Sequence, residues 1–317
     1  TMGFPLCPLF QGKFTVAGTQ VINLNALGIT TSGGFADINN DGWMDLVVTG
    51  EWMPVKIFIN NKGVYKNSDI QQSTGLWQTV YPTDVNGDGL TDILAGNWGL
   101  NTKLAAGKDG PLKLYVKNFD GKGAIEQVMT YTIDGTEYTF LAKDELERPL
   151  PVLKKAYLTY GEVAGKSVQY LLDDLFKDYT ELKAETLASA CFINDGKGNF
   201  KKVELSPALQ LAPIFSFTQA APDNKNNFLA SGNFYGVIPY EGRYDALPPT
   251  TFVFNKQNNG FESGTCLPIL HGEVRDAKWI NSVGGEKVLV VARNNMPLLF
   301  FKKTRNQKET VARVEKK

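Results

Sequence analysis

Two nine-residue stretches limit what this chain can fold into more than any other feature. They are Asp37-Ile-Asn39-Asn-Asp41-Gly42-Trp43-Met-Asp45 and Asp84-Val-Asn86-Gly-Asp88-Gly89-Leu90-Thr-Asp92. Both read D-x-N-x-D-G-x-x-D. Oxygen-bearing side chains fall at positions 1, 3, 5 and 9, glycine at 6 allows a sharp turn, and position 7 offers a backbone carbonyl. This is the donor arrangement of a calcium loop, since Ca2+ is a hard ion that takes about six to eight oxygens. The spacing nominates Asp37, Asn39, Asp41, Asp45 and the Trp43 carbonyl for one ion. It nominates Asp84, Asn86, Asp88, Asp92 and the Leu90 carbonyl for a second. An EF-hand would place Glu at position 12 and continue as a helix. Here position 12 is Val48 or Ala95 and the continuation reads as a strand. The bland alternative is an Asn/Asp/Gly turn without metal; against it, acids gathered this closely repel one another unless a cation joins them. A third stretch, Asn118-Phe-Asp120-Gly-Lys122-Gly-Ala-Ile-Glu126, keeps the frame but puts Lys122 at position 5, where its ammonium could replace a metal charge.

The strand pattern after each loop recurs along the chain. Asp45–Trp52, Asp92–Trp98, Asn227–Phe234 and Val288–Asn295 each run as an apolar strand, a small residue, Gly or Arg, then a polar-aromatic or polar pair. Gly50 and Gly96 lie 46 positions apart. A period in the mid-forties with several short strands per unit is the signature of propeller blades. Strands are expected at Val55–Asn60, Leu112–Val116, Gln127–Thr132, Thr251–Asn255 and Leu298–Lys302, with a hairpin turning at Asn194–Asn199. The 31 glycines fit many tight turns between short strands.

Between about 144 and 189 the period turns helical. Val168, Leu171, Leu172, Leu175 and Phe176 form one stripe behind a Ser167 N-cap, and Val152, Leu153, Ala156, Tyr157 and Tyr160 form another. Thr180–Ala188 is expected as a third short helix. The fold class is therefore all-β, a propeller of seven blades or an incomplete ring, over residues 1–303. It carries a small helical insertion at about 144–189 and ends in a charged tail at 304–317.

Composition narrows the chemistry. With 33 Lys+Arg against 33 Asp+Glu, the chain lacks the positive surface that nucleic acid requires. Its longest apolar runs fall far short of the roughly 20 residues that span a bilayer. A single histidine, His271, rules out His-cluster metal sites. Cys7, Cys191 and Cys266 are too scattered for a metal knuckle, and the latter two sit in apolar contexts that suggest buried free thiols.

The two acidic stretches resemble FG-GAP/VCBS repeats, the blades of integrin-α-type β-propellers. Leu94-Ala-Gly-Asn-Trp-Gly-Leu-Asn101, Lys143-Asp-Glu-Leu146, Gly232-Asn-Phe-Tyr-Gly236 and Tyr240-Glu-Gly-Arg-Tyr-Asp245 resemble, more narrowly, the C-terminal region of large exported bacterial VCBS-repeat proteins related to the cartilage acidic protein/UnbV group. The resemblance runs over most of the chain. It implies a calcium-stabilised propeller, with the loop residues named above as ligands.

A second constellation bears on binding. Glu51-Trp52 and Asn97-Trp98 occupy equivalent points after two strands, and Tyr235, Arg243 and Tyr244 crowd one short segment. Aromatic platforms beside Arg, Asn and carboxylates suit sugars or peptides. The alternative is that these rings cover the core between blades. The expected function is a non-catalytic module that binds protein or carbohydrate at the bacterial cell surface, where millimolar calcium suits such loops. The alternative is a propeller-type glycoside hydrolase or polysaccharide lyase, whose carboxyl pair would come from Glu51, Glu241 and Asp245.

Overall fold

A computed structural model describes Leu9–Phe10, Lys13–Phe14, Leu24 and residues 26–302, except 105, 108–109, 120 and 239–241. The chain is mostly β, 47% strand against 10% helix. Its strands form antiparallel sheets, none closed on itself. Cys7 and the tail at 304–317 lie outside the described residues.

Four sheets succeed one another along the chain. The first is ordered Ile29–Ala36, Asp45–Met53, Lys56–Asn61, Val64–Asp69, with Gly75–Leu76 pairing beside its second strand. The second is Thr79–Thr83, Asp92–Gly96, Ala190–Asn194, Phe200–Glu204. The third is Ile214–Ala221, Asn224–Gly232, Thr250–Asn255, Gly260–Cys266. The fourth has three strands, Val274–Asn281, Lys287–Arg293 and Leu299–Lys302. The four recurrent sequence segments are the second strands of these four sheets. The first strands of successive sheets lie side by side, so the sheets pack face to face in series.

Burial explains the sequence pattern. Asp92–Gly96 is buried throughout because the second sheet is covered on both faces. Strand alternation then sends Ile93, Ala95 and Phe192 into the core with Trp77 and Val47, toward the first sheet. Leu94 and Cys191 go the other way, into the core with Ile214, Phe217 and Phe228 of the third sheet. A third layer, with Leu229, Val274, Leu289 and Phe301, joins the third sheet to the fourth. The recurrent glycines sit where backbone approaches backbone. A Cβ on Gly96 would lie 2.4 Å from the Ile214 carbonyl oxygen, and one on Gly232 only 1.8 Å from that of Pro213.

The second sheet is interrupted between its second and third strands. The intervening chain builds a four-stranded sheet ordered Thr136–Thr139, Glu126–Ile133, Leu112–Lys117, Thr180–Ala184. Short helices Lys143–Glu147, Leu153–Ala156, Tyr160–Val163 and Val168–Leu172 cover it. Ser167 caps the last of these, its hydroxyl accepting the Tyr170 N–H at 3.2 Å. The first helical stripe holds, with Val168 and Leu172 packed beside Leu146 and Leu153 on Tyr115 and Val128. The second does not, because the helix ends at Tyr157 in extended backbone, which leaves Val152, Ala156 and Tyr160 exposed and only Leu153 buried. Thr180–Ala188 is not a helix, however. Thr180–Ala184 pairs with Leu112–Lys117, so the helical stretch stops at the 3-10 turn Asp173–Leu175. Its Glu, Lys and Ala favour helix in isolation, but the open edge of Leu112–Lys117 takes their backbone as a strand. Cys191 is buried as expected, whereas Cys266 ends a strand in the open.

Candidate metal loops and an aromatic cavity

The two acidic loops share one hydrogen-bond frame. In the first, Asp37 Oδ1 accepts the Asp41 N–H and Asp37 Oδ2 accepts the Gly42 N–H, at 3.1 and 2.8 Å. Asn39 Oδ1 accepts the Asp41 N–H and Asp41 Oδ1 accepts the Trp43 N–H. In the second, Asp84 accepts from Asp88 and Gly89, Asn86 from Asp88, and Asp88 from Leu90. Gly42 and Gly89 both hold φ +87, in the left-handed region that glycine enters at no steric cost. The turns are thus folded by their own backbone donors.

Position 9 differs from the rest of the loop because it is buried. Asp45 and Asp92 are both 0% exposed. Each carboxylate takes one N–H from position 2 of its loop, Ile38 to Asp45 at 2.8 Å and Val85 to Asp92 at 3.0 Å. Each takes a second from a neighbouring strand, Asn60 to Asp45 at 2.7 Å and Asn194 to Asp92 at 2.8 Å. Burial pushes both carboxyls above their ordinary value, Asp92 to about 6. The backbone donors pull against that, and the other two acids of each loop add to it. The third stretch repeats this last feature: buried Glu126 accepts the Phe119 N–H at 2.7 Å. Asp120 lies outside the described residues.

The donor chemistry of both loops, all oxygen, fits a hard cation, and a buried acid next to two further acids is where a positive charge is wanted. The carboxylates do not converge as they stand. Among the described residues no group of three or more His, Cys, Asp or Glu is placed to hold a metal.

Sequence reading missed the residues that strap the loops down. Asn194 Nδ2 donates to the Thr91 carbonyl of its own loop and to the Ile38 carbonyl of the other, at 3.1 and 2.9 Å. Asn60 Nδ2 donates to Met44 at 3.0 Å. The signal was present as a repeated phrase, Phe58-Ile-Asn60 and Phe192-Ile-Asn194, each closing a strand beside an acidic loop.

The second constellation divides. Trp52, Trp98 and Tyr244 come together as walls of one cavity of about 380 Å3, completed by residues of the inserted sheet and by 236–238. Trp98 packs between Phe234 and Tyr244, each ring centroid at 5.3 Å. Tyr244 shares a 2.8 Å hydrogen bond with Thr102. Asn97 is elsewhere: it is 0% exposed, its Oδ1 accepts the Leu76 and Trp98 N–H groups, and its Nδ2 donates to the Thr186 and Ala188 carbonyls. It staples strands and faces no ligand. Asn233 occupies the equivalent place in the third sheet and does the same between Gly272 and Leu247. Glu51 accepts from Gln78 at 2.9 Å. Tyr235 and Arg243 pair with each other, the guanidinium 5.1 Å from the ring. Glu241 lies outside the described residues. A further cluster was not legible in the sequence. Glu273, buried, accepts from Tyr235, Asn294 and Arg275, and Arg275 lies 4.1 Å over the Phe215 ring.

No helix among the described residues is long and apolar enough to cross a membrane. No curated protein matches the chain. Residues 11–95, a stretch that contains both acidic loops and the two strands after them, match the family model for the FG-GAP-like repeat, and over that stretch the chain is similar to FG-GAP repeats.

Proposed function

We propose that the chain is a non-catalytic binding module of β-propeller type, stabilised by Ca2+ in its two acidic loops, that takes a protein or carbohydrate ligand at the bacterial cell surface. The observation that carries this reading is the identical frame of the two loops around a buried acid. A turn needs only its Asp, Asn and Gly; burying a third carboxylate beside two others is costly and is repaid by a divalent ion. Asp37, Asn39, Asp41 and Asp45 would hold one ion, with the Trp43 carbonyl. Asp84, Asn86, Asp88 and Asp92, with the Leu90 carbonyl, would hold the other. Binding would draw these carboxylates together. The ion would supply cross-linking charge, while Asn60 and Asn194 keep each loop registered on its strands. Four sheets in series, first strands side by side, support an incomplete propeller more than a seven-bladed one. The phrases at Leu94–Asn101 and Gly232–Gly236 support placement near the cartilage acidic protein/UnbV group.

The hydrolase or lyase reading is weaker. It needs two carboxyl groups roughly 5–9.5 Å apart facing a substrate. Glu51 is hydrogen-bonded to Gln78, and among the described residues no carboxylate lines the aromatic cavity. Thermal denaturation with calcium and with chelator tests the calcium claim. Chelation is expected to lower the melting temperature by several degrees, because an ion bound only by the folded state stabilises it by mass action. Asp41→Ala combined with Asp88→Ala is expected to abolish that response. A melting temperature indifferent to calcium, with no heat of calcium binding, rejects the reading.

A further inference from the structure

The aromatic cavity has a chemistry of its own. None of its twelve described lining residues is charged. Its polar groups are few. The Tyr244 hydroxyl is engaged with Thr102, and Gln127 is an exposed residue of the wall. The Trp98 indole N–H is buried without a hydrogen-bond partner. The remainder of the wall is aliphatic or aromatic, with Trp52, Met129 and Phe140 most prominent.

We propose that this cavity binds an uncharged apolar group, an aromatic ring or a branched aliphatic chain, and rejects sugars. The inference rests on the binding-module reading but not on calcium. A sugar brings hydroxyls that must exchange water for protein partners, and each one left unpaired is costly. Among the described residues, a cation would meet no counter-charge, and an anion would meet only the Lys103 ammonium, which lies 5.5 Å from the Phe140 ring centroid and is engaged with that ring. An apolar ring loses nothing polar and gains stacking against two indoles. The volume is at the small end of ligand sites, enough for one ring system and not for an oligosaccharide.

The backbone supports the same assignment. Trp52 sits at φ +60, a left-handed conformation that a bulky residue adopts only under constraint. Strain of this kind collects where a side chain is held for use. Here it fixes an indole in the wall of the cavity.

The chain has five tryptophans, so labelling with 5-fluorotryptophan gives five assignable 19F signals. Titration with N-acetyl-tryptophanamide is expected to shift the Trp52 and Trp98 signals saturably and to leave buried Trp77 unmoved. Maltotriose and benzoate are expected to shift neither. Gln127→Trp, which fills the cavity from an exposed position, is expected to weaken the titration at least tenfold, with the Trp77 signal reporting an intact fold. Met129→Trp serves as a second filling variant. Saturation by maltotriose without saturation by the indole amide overturns the proposal, as does silence of both signals up to the solubility limit. A capped hexapeptide with a central tryptophan separates the sources of the group. Binding at least tenfold tighter than the free amide assigns the cavity to a partner polypeptide, and equal binding assigns it to a free molecule. Repeating the titration in calcium and in chelator keeps the two readings apart, since failure of the calcium claim would show at Trp43 and in the melting temperature, not at Trp52 and Trp98.

Discussion

The two acidic loops share sequence and internal hydrogen bonds, yet they are tied into the molecule differently. The first is local: Asp45 is completed by Asn60, fifteen positions on and within the same sheet. The second is not. Asp92 is completed by Asn194, 102 positions away, on a strand that returns only after the inserted sheet and its helices. Asn194 also reaches across to the Ile38 carbonyl, so it holds both loops at once. The second loop has a lysine for a neighbour as well, with Lys256, in the turn between the last two strands of the third sheet, reaching toward Gly87. Its buried acid is the one pushed up to about 6. Equal motifs thus acquire unequal structural weight from what packs on them: the first is a turn within one sheet, and the second is a clasp that closes an insertion.

The sharpest way to break this comparison is to remove each buried acid. Asp92→Ala leaves the Val85 and Asn194 N–H groups buried and unsatisfied and frees the strand after the insertion, an expected loss of about 3–5 kcal/mol in urea unfolding. Asp45→Ala also strands two N–H groups, but within a sheet held by its own neighbours, and about 2–3 kcal/mol is expected. Equal losses would remove the distinction.

The straps come next. Asn194→Ala is expected to cost about 2–3 kcal/mol, since it strips the Ile38 and Thr91 carbonyls and the Gly196 N–H of their partner. Asn60→Ala is expected to cost about 1–2 kcal/mol. Hydrogen exchange sharpens the point. Asn194→Ala should raise exchange in both loops, while Asn60→Ala should raise it in the first alone.

The smallest effect is a pH dependence. A carboxyl raised in the folded state favours folding while protonated. Its contribution is full below the unfolded value, 3.8, and is lost as pH rises through about 6. In chelator, the wild type is therefore expected to lose stability across that window, on the order of 1 kcal/mol from this group. Asp92→Asn should flatten the slope more than Asp45→Asn does. A slope unchanged in Asp92→Asn would place the buried charge elsewhere.

Much of this was legible before any coordinates. The acidic turns, the strands after them, the hairpin at Asn194–Asn199 and the Ser167 cap each depend on residues within a few positions of one another. Sequence reading also brought Trp52, Trp98 and Tyr244 forward as binding residues, and all three line the cavity. It grouped Asn97 with them because Asn97 adjoins Trp98. Alternation turns neighbouring side chains to opposite faces, and Asn97 became a staple with no exposed surface.

The amino-acid sequence by itself determined the local chemistry: which turns form, that a strand follows each acidic loop, and that oxygen donors gather in two nine-residue frames. Those features close their own hydrogen bonds over short stretches of chain, so their rules are short-range. Only the tertiary structure decided that Thr180–Ala184 is a strand, that Asn194 serves two loops, and that two tryptophans 46 positions apart share one uncharged cavity. Each of these depends on groups brought together from distant parts of the chain. There, an open strand edge or a buried carboxylate outweighs the preference of any local segment.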